Sequence, residues 1–158
     1  AVQAALTGHL VLSTLHTNDS ASTIIRLLDL GVPPFLISAT VLGIVAQRLV
    51  RKICPHCKKV RNLSRDESDY LQLQEKSYTV WEGEGCKECR GTGYKGRTGI
   101  FEVLDLNERT KSIVTASVEL ADLVLAAKED GLVTLRQVAI SKMLEGVTTY
   151  EEVVAMTG

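Results

Sequence analysis

The sequence predicts an α/β fold interrupted by a small cysteine-bound insertion and closed by a C-terminal helical bundle. Three observations carry that prediction. The first thirty residues read helix, apolar run, helix, the order of a piece of an α/β sheet. The four cysteines, the only ones in 158 residues, fall as CPHC at 54–57 and CKEC at 86–89. From Asn107 onward, capping residues, apolar positions and glycines recur at helical spacing.

Ala1–Thr7 holds good helix formers and no starting cap, and Gly8 stands where a helix-ending glycine belongs. The sequence is therefore read as opening partway through a helix. Leu10–Leu15 (LVLSTL) is short, apolar and partly β-branched, which suits a buried strand of a parallel sheet. Asn18, Asp19 and Ser20 offer an N-cap for a helix through Leu30, with Ile24, Leu27 and Leu28 on one face and Gly31 closing it. Pro33 or Pro34 opens another helix towards Gly43. Ile44–Ile53 has no purely apolar face. It is read as a strand because a second candidate, Arg97–Leu104, follows the second cysteine pair. If the two pair antiparallel, the cysteine module sits at the tip of their hairpin, with Leu71, Leu73, Tyr78, Val80 and Trp81 as a satellite core. Four helices follow. Asn107 caps one to about Ala116, Ser117 one to Asp130 ended by Gly131, and Thr134 one ended by Gly146; Thr148 with Glu151 makes a capping-box pattern for the last. Their apolar positions, including Ile113, Leu123, Leu132, Leu135 and Met143, predict one compact bundle core.

Two CxxC pairs, each on a tight knuckle, supply the four-sulfur set that zinc prefers. Cys54, Cys57, Cys86 and Cys89 are thus read as a structural zinc site. Disulfides would need an oxidising compartment, and a redox centre would need a single CxxC at a helix start. With four sulfurs available, His56 is a spectator inside its knuckle. All four metal positions being filled by protein, the metal holds structure and does no chemistry.

His16 falls at the carboxyl end of the predicted strand, where open α/β sheets bind ligands, and heads a polar cluster with Thr17 and Asn18. A strand between them would put His9 roughly 20 Å from His16, so His9 is read as a structural or interface residue.

Composition narrows the classes. An apolar fraction of 45% is that of a globular protein, and no apolar run approaches the roughly 20 residues of a membrane span. A formal charge of -1 argues against a dedicated nucleic-acid binder. Charge is uneven, however: Arg51–Arg61 carries five bases and no acid, while Asn62–Gly85 carries six acids and two bases. The basic stretch is read chiefly as offsetting a zinc tetrathiolate. GTGYKGRT at 91–98 nearly fits the phosphate-loop pattern, but it leads into a strand where a phosphate loop leads into a helix.

Four ordered blocks resemble the GspE/PilB kind of secretion ATPase, from type II secretion and type IV pilus assembly. They are AVQAALTGHLVLSTLHTND (1–19), AQRLVRKICPHC (46–57), CKECRGTGYKGRTGIFEVL (86–104) and GLVTLRQVAISKMLEGVTTYEEV (131–153). The resemblance implies that residues 1–53 close a RecA-like P-loop ATPase core, 54–96 form the zinc module, 97–106 return a strand to the core and 107–158 form a C-terminal helical domain. It also implies that His9 and His16 belong to a His box, one of them near the terminal phosphate in a supporting role; the end of the predicted strand makes His16 the candidate. The zinc is structural; ATP and magnesium belong to the full-length parent only. The parent's expected partners are neighbouring subunits of a homohexamer and an inner-membrane platform protein, at a cytoplasmic site peripheral to the inner membrane. The family's phosphate-binding loop and magnesium-positioning acids precede the His box and are not in these residues, so the chain is expected to be a C-terminal fragment without ATPase activity of its own.

Two other readings compete. CKECRGTG also resembles a DnaJ-type knuckle, which would make the chain a zinc-ribbon interaction or nucleic-acid-binding module. A DnaJ-type array needs four such repeats and this sequence has one. The basic rim at Lys58, Lys59 and Arg61 could instead dock the zinc module on a neighbouring subunit or the platform.

Overall fold

The computed structural model describes residues 1–75 and 77–157. In chain order the elements are α1 (Val2–Leu6), α2 (Ser20–Asp29), α3 (Pro34–Thr40), β1 (Gly43–Ile53), β2 (Lys58–Asn62), α4 (Arg65–Leu71), β3 (Thr79–Gly83), β4 (Tyr94–Asp105), α5 (Glu108–Ile113), α6 (Leu120–Glu129), α7 (Leu135–Leu144) and α8 (Tyr150–Thr157). It is a mixed α/β chain. β1 pairs with β4, and the Leu106 N–H bonds the Leu42 carbonyl at one end while the Cys54 N–H bonds the Gly93 carbonyl at the other, so the pair is antiparallel. The cysteine module is therefore inserted between paired strands, as the position of a second strand candidate at 97–104 predicted.

Packing divides the chain into two units, 1–47 with 101–133 and 48–100 with 134–158. In the first, α2, α3, α5 and α6 cover the buried face of the strand ends. Ile24, Ile37, Leu104 and Leu123 are fully enclosed there, each worth about 1.5–3 kcal/mol on removal from water. Asp19 caps α2 by accepting the Ser22 N–H at 2.7 Å, and Asn107 caps α5 by accepting the Thr110 N–H at 2.9 Å. The Thr110 hydroxyl is buried without a hydrogen-bond partner. Thr110→Val is therefore expected to stabilise the protein by about 1 kcal/mol, seen as a higher urea midpoint.

In the second unit β2 and β3 form an antiparallel hairpin with Lys58 opposite Gly83 and Asn62 opposite Thr79. Between them α4 starts with a full capping box: Ser64 Oγ accepts the Glu67 N–H, and the Glu67 carboxylate accepts the Ser64 N–H at 2.8 Å. α7 packs on α8 and on β3. Val80, Met143 and Val153 are fully buried.

Three expectations are corrected. Leu10–Leu15 is not a strand: among the described residues the strands are β1–β4, and an extended run without a neighbour has no ladder for its backbone groups. Leu10 and Leu12 are 78% and 89% exposed. The single bundle core is divided, since α5 and α6 belong to the first unit and α7 and α8 to the second; helical periodicity marks a buried face but not what buries it. Two caps move as well. A turn from Thr115 to Val118 delays α6 until Leu120, and α8 is capped by Thr149 because the Thr148 hydroxyl bonds the Arg51 carbonyl. No helix among the described residues is long and apolar enough to cross a membrane.

Candidate metal centre and the histidine segment

The first knuckle leaves β1 at Ile53 and turns through a Cys57 N–H to Cys54 carbonyl bond. In the second, Cys86 enters a short 3₁₀ turn, and Arg90 and Gly91 both take positive φ (54° and 78°), which swings the chain back towards β4. The knuckles are joined through backbone: the Cys54 N–H bonds the Gly93 carbonyl at 2.9 Å and the Glu84 N–H bonds the Cys57 carbonyl at 3.1 Å.

The four sulfurs face one point. Neighbouring pairs are 3.9 Å (Cys54–Cys86), 3.8 Å (Cys57–Cys89) and 3.7 Å (Cys86–Cys89) apart, and all lie within 4.8 Å of one another. Sulfurs about 2.3 Å from a tetrahedral zinc stand about 3.8 Å apart, so the donor set fits that ion. The four thiols are free, and these separations are far beyond the roughly 2.05 Å of a disulfide. Burial favours the neutral thiol at Cys89, but the Cys86 and Gly93 N–H groups bond its sulfur at 3.1 and 3.2 Å and bring it down to about 6. At Cys57 burial and the neighbouring thiols act together, against a backbone bond from Gly85, and push it up to about 12. The two backbone N–H bonds thus favour the thiolate at Cys89. A bound dication would draw the others into the same state.

The cations around the knuckles are engaged within their own unit. Lys59 pairs with Glu82 and Glu84 at 3.1 and 2.9 Å, and Arg61 grips Glu67 through two bonds at 2.8 and 2.9 Å. That guanidinium holds the Glu67 carboxyl below the usual carboxylate range. Lys59 and Arg61 thus offset acids of the insertion, a pairing that the sequence reading had not made. His56 is exposed at its knuckle and outside the four-sulfur set.

His9 and His16 lie in the first unit and the cysteines in the second. Both imidazoles are exposed, and with no strand between them the separation expected from strand rise does not apply. His9 Nδ1 meets the Thr7 hydroxyl at 3.0 Å. The segment after His16 is pinned: Thr17 meets Thr23 hydroxyl to hydroxyl at 2.8 Å, and Asp19 caps α2.

Glu102, only 3% exposed on β4, completes this anchorage. Its Oε1 accepts the Ser20 N–H at 2.8 Å and also the Ser20 hydroxyl. Asp19 serves the N–H of the third helical residue and Glu102 that of the first, so two carboxylates share the open amides of one helix start. The sequence carried the signal: Ile100, Glu102 and Leu104 share one face of a strand, and an acid on an apolar face needs a partner. Glu102→Ala is expected to cost about 1–3 kcal/mol in denaturant unfolding, and Glu102→Gln, which keeps a carbonyl acceptor, less than half as much.

The family model described as type II/IV secretion system protein matches residues 1–155. The type IV pilus assembly ATPase TfpB of Acinetobacter baylyi is 49% identical over 97% of this chain and 27% of its own length. The type IV pilus assembly ATPase PilB of Thermus thermophilus is 43% identical over 99% of this chain and 18% of its own length. The type II secretion system protein E of Klebsiella pneumoniae is 42% identical over 99% and 31%. The chain spans less than a third of the length of each of these relatives.

Proposed function

The chain belongs to the type II/IV secretion system protein family, and from that premise we propose that it is the C-terminal portion of a hexameric ATPase that powers type II secretion or type IV pilus assembly. The observation that carries this reading is the extent of the likeness, nearly the whole of this chain against a minor part of relatives named as pilus assembly ATPases and secretion proteins. Residues 1–53 and 97–106 are the closing part of a RecA-like core, 54–96 a zinc module and 107–158 a C-terminal helical region. The exposure of Leu10 and Leu12, in a run whose composition suits a buried strand, supports a place for it in the sheet of a longer protein.

In this reading Cys54, Cys57, Cys86 and Cys89 hold a structural zinc, which supplies a rigid four-thiolate cross-link. His16 faces the terminal phosphate of ATP, with magnesium and the phosphate-binding loop supplied by the remainder of the parent. Its imidazole stabilises phosphate charge in a supporting role. Thr17, Asp19 and Glu102 fix the segment that carries it, and His9 supports the same region. Neighbouring subunits and an inner-membrane platform protein are the partners, at a cytoplasmic site peripheral to the membrane. The alternative of a nucleic-acid module has less behind it, since a cation of the same unit already stands over each of the rings of Tyr94, Trp81, Tyr150 and Tyr70.

ATP turnover tests the reading. The 158-residue chain should show none above background, and His16→Ala in the full-length parent should lower kcat about tenfold or more with zinc content unchanged. Turnover by the chain alone, or a parent indifferent to His16, would contradict it.

A further inference from the structure

The loop before α8 is built onto the knuckles. Ile53, one residue before the first cysteine, donates its N–H to the Val147 carbonyl at 3.0 Å. Lys58, one residue after Cys57, donates to the Gly146 carbonyl at 2.7 Å. The Thr148 hydroxyl donates to the Arg51 carbonyl at 2.8 Å, and Thr149 meets the Tyr94 hydroxyl at 2.9 Å. Both threonines are buried. The helix itself is held by Glu152, which accepts the Arg51 N–H at 2.7 Å and the Arg51 Nε at 2.8 Å, while that guanidinium lies 4.0 Å over the Tyr94 ring.

Every partner on the cysteine side lies within five residues of a cysteine in sequence. Arg51, Ile53 and Lys58 bracket the first knuckle, and Tyr94 follows Gly93, whose carbonyl ties the second knuckle to Cys54. The positions of these groups are therefore set by the ends of the β1–β4 pair together with how the two knuckles close on each other.

We infer that docking of α8 is coupled to metal occupancy of the four-cysteine centre: 146–152 is a latch that closes when the knuckles are cross-linked and opens when they are not. The inference rests on the cysteines holding a metal. It assigns the centre a second consequence, control of the C-terminal helix. Coupling of this kind is reciprocal: metal favours the closed latch by the same factor by which the closed latch favours metal, so opening the latch weakens metal binding by up to that factor.

Hydrogen exchange read by mass spectrometry, on the zinc-loaded chain and after chelation, tests it together with a zinc-affinity measurement against a competing chelator. Chelation should lower protection of the amides of 147–156 about tenfold or more, with α2 and α6 as internal references. The paired substitution Thr148→Val with Glu152→Gln leaves the cysteines in place and should weaken zinc binding about tenfold. Zinc retained but 147–156 equally protected with and without it would overturn the latch. So would an undiminished zinc affinity in the paired variant. Failure of the wild-type chain to hold zinc at all would overturn the metal centre and the latch with it.

Discussion

Serine in place of Cys89 is expected to abolish stoichiometric metal retention and to lower stability by more than about 3 kcal/mol, roughly 6–12 °C in Tm for a chain of this size. Cys89 is the sulfur that receives two backbone N–H bonds and the buried cysteine of the second knuckle. A hydroxyl there is a poor zinc ligand and leaves three thiols without a fourth partner. The satellite core around Val80, Leu63 and Leu71 is small, so it depends on the cross-link. Metal analysis and thermal unfolding of Cys89→Ser beside the unaltered chain check this. Retention of one equivalent with unchanged Tm would show that the fourth sulfur is dispensable.

Gly93→Ala is expected to have an effect of similar size without touching a ligand. A Cβ at Gly93 would lie 2.4 Å from the Gly83 carbonyl oxygen, and Gly93 has φ +76°, a conformation that itself costs a side chain about 1 kcal/mol. The two backbones cross there because neither carries a side chain: a Cβ at Gly83 would lie 2.1 Å from the Gly93 oxygen. Moving Gly93 displaces the carbonyl that holds Cys54 and the N–H that bonds Cys89. The loss should exceed about 3 kcal/mol with weakened metal retention. Gly96→Ala is the control, since Gly96 has φ +80° with nothing within 4 Å of the added carbon. It should cost only about 1 kcal/mol, the strain of φ alone. Equal losses in the two variants, measured as urea midpoints, would refute the crossing argument.

The contrast also shows what was legible beforehand. The cysteine spacing, the caps at Asp19, Asn107 and Thr134 and the helix-ending Gly8, Gly31, Gly131 and Gly146 are local signals, and each falls where the residues placed it, whereas α3 stops at Thr40 and Gly43 opens β1. The paired strands flanking the insertion were legible too, because the module had to leave and re-enter the same pair. Leu10–Leu15 failed because strand formation depends on neighbours that a local reading does not supply. Thr148 failed as a cap because a carbonyl 97 residues away claims its hydroxyl. The capping box at Ser64 and Glu67 was readable as S-x-x-E, and the helix it starts was passed over in favour of the apolar residues around it. The close approach of Gly83 and Gly93 has no sequence signature beyond the glycines themselves.

Whether the proposed four-sulfur zinc centre exists is decided by X-ray absorption at the zinc edge on the purified 158-residue protein, together with its metal content. One zinc per chain surrounded by four sulfurs at about 2.3 Å is the expected result. A folded chain without zinc, or a shell in which nitrogen or oxygen replaces any of the four sulfurs, would contradict it.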